Sequence, residues 1–89
     1  MSNSQREQIR LSCLRYCVAA RSMGLGTALL LQALQAEGLR QLGLEEVREE
    51  LRYLEEKGLL ERKEKLISPE NEIWMATAWG RDFWAEGEK

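Results

Sequence analysis

The stretch LEEVREELRYLEEKGLLERK, residues 44–63, constrains the fold of this chain more than any other. Leu44, Val47, Leu51, Leu54 and Gly58 recur at helical spacing and so share one face of a helix. Gly43 serves as the N-cap, Glu45 and Glu46 suit the positive end of the helix dipole, and Gly58 ends the helix. After Gly58 the period changes. Residues 59–67 predict a strand, SPEN (68–71) a turn with Pro69 well placed, and residues 72–77 a returning strand.

The remaining elements follow from caps and apolar spacing. A first helix is predicted over residues 5–22, with Ser4 as N-cap and Gly24 as terminator. Ile9, Cys13, Tyr16, Cys17 and Ala20 fall on one arc of it, Leu11, Leu14 and Val18 on a second, with Arg10 between. That surface is wider than a single core stripe. It fits a central helix covered on two sides by its own domain, and equally a helix that also packs against a second copy. Thr27 is placed to cap a second helix over residues 28–37, with Leu30, Leu31 and Leu34 inward and Gly38 as stop. Gly24-Leu25-Gly26 reads as a turn between helices, and Thr77 as the cap of a last helix over residues 78–86. The order is three helices, a two-stranded β unit and a short C-terminal helix, a mainly α member of the α+β class.

Eighty-nine residues suffice for one domain, 1–89, with a modest core and with residues 1–3 and 88–89 frayed. No apolar run is long enough to span a membrane, and MSNSQREQIR is too polar for a secretory signal. Cytoplasm is the expected compartment, where two cysteines stay reduced. The net charge of −2 is unevenly spread. Residues 1–40 carry five arginines against two glutamates, and residues 41–89 carry eight Lys or Arg against thirteen Asp or Glu. A nucleic-acid binder is usually basic over at least one patch, and the second half as a whole is not.

From Leu30 to Gly87 the sequence resembles a winged helix-turn-helix domain. The carrying residues are VREELRYLEEKGLL (47–60), similar to the helix-to-wing junction of many bacterial regulators, and ATAWGRD (76–82), similar to the segment closing their wing. Ala76 stands where that pattern usually has leucine. More narrowly, the arrangement resembles small winged-helix proteins encoded in Mu-like prophages. The resemblance implies a DNA-associated regulatory role, with double-stranded DNA as partner. Winged helices also serve as protein–protein modules, so an adaptor that binds another protein and no nucleic acid is the rival expectation.

In a helix-turn-helix the second helix offers its outer face to the major groove. Here that face holds Glu45, Glu46, Glu49, Arg52, Tyr53 and Glu56, four carboxylates against one guanidinium. DNA affinity comes largely from neutralising phosphates, so ordinary base reading by this helix is disfavoured and a solvated, internally paired face is the simpler account. The cations left for phosphate contact are Arg52 and the first wing strand's Arg62, Lys63 and Lys65, interrupted by Glu61 and Glu64. Arg6, Arg10 and Arg21 fall within about 60° on the first helix and form a second candidate basic group.

Cys13 and Cys17 lie one helical turn apart, but zinc needs two more ligands and the chain has no histidine and no third cysteine. Core packing is the simpler role. The chain lacks a P-loop, a dinucleotide glycine fingerprint and a nucleophile elbow, so neither an enzyme nor a cofactor is expected. Trp74, Trp79, Phe83 and Trp84 crowd the C-terminal end. Trp79 and Phe83, one turn apart, are expected to face inward together, and one of Trp74, Met75 or Trp84 to stay partly exposed. For a homodimer or other protein partner, the candidate interface is Ile9, Cys13, Tyr16, Cys17 and Trp84.

Overall fold

The computed structural model describes residues 2–63 and 72–87. Among the described residues, four α-helices pack with a three-stranded antiparallel sheet: α1 (Asn3–Ala20), β1 (Leu25–Gly26), α2 (Thr27–Ala36), α3 (Leu44–Glu56), β2 (Leu60–Arg62), β3 (Ile73–Ala76) and α4 (Ala78–Gly87). The α+β class is as expected. The strand count is not: the sheet order is β1-β3-β2, three strands where the sequence suggested two.

The third strand comes from the two-glycine segment, which forms an edge strand where its residues predict a turn. Leu25 pairs with Trp74 and Gly26 with Ile73, on the edge of β3 opposite β2. On the β2 edge, Leu60 pairs with Ala76 and Arg62 with Trp74. Gly24 makes the close approach possible. Its φ of +69° is costly for any other residue, and a Cβ there would lie 2.8 Å from Ile73 Cγ2 and 2.9 Å from the Trp74 carbonyl oxygen.

Helix α1 starts earlier than expected, because Ser2 rather than Ser4 caps it. The Gln5 N–H donates to Ser2 Oγ and the Ser2 N–H donates to Gln5 Oε1, each at 3.2 Å, a reciprocal capping box. The helix also ends earlier, at Ala20, and a 3-10 turn over Arg21–Met23 follows, with Arg21 at φ +55°.

Thr27 does not cap α2. Gly26 takes that position, and the fully buried Thr27 hydroxyl accepts from Trp74 Nε1 at 3.0 Å while lying 3.3 Å from the Glu72 carbonyl oxygen, to which it donates. The indole of Trp74 is thus held at the centre of the core with its N–H satisfied.

Helix α1 is the central element, touching α2, α3, α4 and β3. Ile9, Cys13, Leu14 and Cys17 from α1 meet Leu30 and Leu34 of α2, Val47, Leu51 and Leu54 of α3, and Leu59, Leu60, Trp74 and Ala76. Each fully buried leucine contributes about 1.5–3 kcal/mol of transfer free energy, so α3 is held mainly by its apolar face. The Gly43 N–H donates to Glu46 Oε1 at 2.9 Å, turning one of the acidic side chains back into the helix start. No helix among the described residues is long and apolar enough to cross a membrane.

Helix α4 is capped as expected: Thr77 Oγ1 accepts from the Gly80 N–H at 2.9 Å and donates to the Gly58 carbonyl oxygen. Its inner face is formed by buried Gly80 and half-buried Trp84, four residues apart. A Cβ on Gly80 would overlap the Leu59 carbonyl oxygen, so the helix lies directly on the chain that enters β2.

Candidate nucleic-acid interface

The outer face of α3 is as acidic in three dimensions as on a helical wheel, but its charges are partly used within the fold. Glu45, Glu49, Arg52, Tyr53 and Glu56 are exposed, and Glu45 Oε1 accepts from Arg48 Nη1 at 2.6 Å. Arg52 makes no ion pair among the described residues.

One acidic residue of α3 points inward. Glu50, only 3% exposed, accepts from Arg10 Nε of α1 at 2.6 Å, and the same guanidinium stacks 3.7 Å from the centroid of the Tyr53 ring. Glu50 follows Val47 by three residues and precedes Leu54 by four, which puts it on the buried stripe; that spacing was the available signal. The contact also removes Arg10 from any basic surface. Arg21 lies beyond α1 in the 3-10 turn, so the grouping of Arg6, Arg10 and Arg21 does not form as the helical wheel suggested.

On β2, Arg62 is committed to the fold. Its Nε donates to Glu55 Oε2 of α3 and its Nη1 to Glu72 Oε2, both at 2.9 Å, and these carboxylates hold its pKa above the ordinary arginine value. The guanidinium lies 5.8 Å over the Trp74 ring. Lys63 is exposed, and its N–H donates to the Ile73 carbonyl oxygen at 2.8 Å, which fixes its backbone beside β3. Lys65 lies outside the described residues, as do the expected turn and the far end of the expected strand. Of the four expected phosphate contacts, Arg52 and Lys63 are therefore exposed without an ion pair among the described residues.

The expected partner surface on α1 is rearranged. Ile9, Cys13 and Cys17 are buried within the domain, where no partner can reach them, because α2, α3 and β3 cover that arc. Burial pushes the Cys17 thiol up to about 12, and burial, Cys17, Glu37 and Glu50 push Cys13 higher still. Tyr16 is half-buried and donates to Glu37 Oε2, which raises its pKa; Arg15 donates to the same oxygen at 2.8 Å, and Ser12 donates to Glu37 Oε1 at 3.1 Å. This cluster ties α1 to the end of α2. Trp84 is half-buried against the core.

The aromatic pair expected inside is outside. Trp79 is 56% and Phe83 42% exposed, with ring centroids 6.5 Å apart and planes tilted by 59°. Gly80 and Trp84 occupy the inner face of α4, which rotates Trp79 and Phe83 to its flank. There they wall a groove of about 340 Å³ whose lining includes Leu11, Leu14, Tyr53, Leu54 and Leu59.

No family model and no curated protein matches the sequence. Among solved structures, the crystal structure of SSV1 F-93 superposes with a TM-score of 0.61, covering 91% of this chain and 79% of that one at 17% identity. The chain shares the fold of SSV1 F-93. At that identity the likeness to F-93 concerns the backbone arrangement and not particular side chains.

Proposed function

We propose that the chain is a winged helix-turn-helix domain of phage or prophage type with a non-enzymatic, DNA-associated regulatory role. In this reading α2, the connection 37–43 and α3 form the helix-turn-helix, β2 and β3 belong to the wing, and β1 adds a third strand. The observation that carries it is the fold shared with F-93 over most of the chain. The open outer face of α3 supports the reading, since in a domain of this type that face is the one that meets DNA.

The charge pattern decides the mode of contact. Exposed Glu45, Glu49 and Glu56 on α3 repel phosphate, and base-edge contacts follow only once cations have brought the surfaces together. Contact therefore runs along the sugar–phosphate backbone through Arg52 and Lys63. Arg62 braces β2 against α3 instead.

Titration of mixed-sequence duplex DNA at low and at near-physiological salt tests this. Binding should weaken steeply with salt, with a log–log slope of about −1 per phosphate contact. Lys63→Glu should lower affinity at low salt while leaving the urea midpoint unchanged. Absence of binding at low salt rules the reading out. It would leave the rival, an adaptor module without nucleic acid, which the exposed aromatic groove favours.

A further inference from the structure

The groove between α1, the end of α3 and α4 gathers four of the exposed large apolar side chains of the described residues in one place. Its floor is Leu14, Leu54 and Leu59, and its walls expose Leu11 (49%), Tyr53, Trp79 and Phe83. Clustered exposed aromatic and aliphatic side chains on a small domain mark an interaction surface, and aromatic anchors carry much of the binding energy in such surfaces.

The charges at the groove identify the occupant. Arg10 is neutralised within the domain by Glu50. What remains is one carboxylate, Glu7 on α1, and one ammonium, Lys57 at the end of α3, both exposed and neither in an ion pair among the described residues. A partner of a single charge sign would leave one of them facing like charge. A second copy related by a two-fold axis meets both with the opposite sign, because an isologous interface sets residue i against j and j against i. The same patch offers both a hollow and a large exposed indole, so each copy can place Trp79 against its partner's groove. We infer that this groove is the homodimer interface of the protein, with Trp79 and Phe83 at its centre and Glu7 facing Lys57 of the second copy across its edge. The inference stands apart from DNA binding, since a monomer that binds DNA overturns it alone.

Light scattering on the full chain, with sedimentation equilibrium, tests it. Wild type should give a mass of twice 10.3 kDa, falling toward 10.3 kDa on dilution. Trp79→Glu should be monomeric, with an unchanged circular dichroism spectrum because the side chain is more than half exposed. Glu7→Lys and Lys57→Glu should each weaken the dimer about tenfold or more, corresponding to one lost ion pair per half-interface. Mixing the two single variants should restore dimers, since all groove-edge pairs are then opposite in sign, a result no merely structural role for these residues produces. A wild-type monomer into the millimolar range, a dimer that persists in Trp79→Glu, or no recovery on mixing overturns the inference.

Discussion

Helix α3 is held by an arginine on each side, and the two clamps differ in depth. On the α1 side, Arg10 grips Glu50, whose side chain is almost sealed from water, and Tyr53 covers the guanidinium. On the sheet side, Arg62 keeps more than a third of its side chain in solvent and bridges half-open Glu55 and buried Glu72. The geometry is comparable, yet the consequences of loss are not. Water can replace a partner at an open site, whereas a sealed carboxylate left alone keeps its desolvation cost. Charge pairs of similar length thus differ in the cost of their loss according to how much of both partners water still reaches.

Arg10→Ala is the most direct way to break that contrast. It should cost about 2–3 kcal/mol in urea unfolding, below the ~3–5 kcal/mol of a fully buried pair because Arg10 itself keeps partial exposure. A second perturbation acts on the same buried side. The folded Cys17 thiol titrates near 12 and Cys13 higher, whereas unfolded thiols titrate near their ordinary value of 9.0. Above that ordinary value the unfolded chain holds fewer protons than the folded one. Stability contributed by these thiols is therefore complete below about 9 and is lost as pH rises from there through about 12. Cys17→Ala should flatten that alkaline limb when urea midpoints are measured across it. A smaller effect is expected at the sheet-side clamp, where Arg62 and Glu55 are open to water and Glu72 is not. Arg62→Ala should cost about 1–2 kcal/mol, and the part that comes from Glu55 should shrink in roughly 1 M salt. A loss at Arg62 as large as that at Arg10 would overturn the comparison.

Much of this architecture is legible in the residues themselves. The Val47, Leu51, Leu54 stripe, the Thr77 cap and the switch from helical to strand periodicity after Gly58 all reappear as α3, α4 and the β2–β3 pair. Other features lacked a local signal. A two-residue strand has no period, so β1 could not be distinguished from a turn. Thr27 has the identity of an N-cap at the place where an N-cap is wanted, and only the arrival of Trp74 from 47 residues away draws its hydroxyl inward. Trp79 and Phe83 have the spacing of an inward stripe, but Gly80 allows α4 to approach Leu59 on its neighbouring face. Glu50 is the exception: its register on the buried stripe was visible, although its arginine partner forty residues earlier was not.

The candidate site divides in the same way. The acidity of the outer face of α3 follows from composition and helical period, and it already argued against base reading by that helix. Which cations remain available was settled by contacts distant in sequence, since Arg10 and Arg62 both found carboxylates in the fold. The broad apolar surface of α1 was likewise evident from spacing, while its covering by α2, α3 and β3, with only Leu11 left largely open, was not. Local spacing determines which side chains share a face, because the backbone geometry of a helix or strand is set residue by residue. What that face meets depends on elements brought together from far along the chain, and only tertiary packing decides which apolar face is buried and which charge is neutralised.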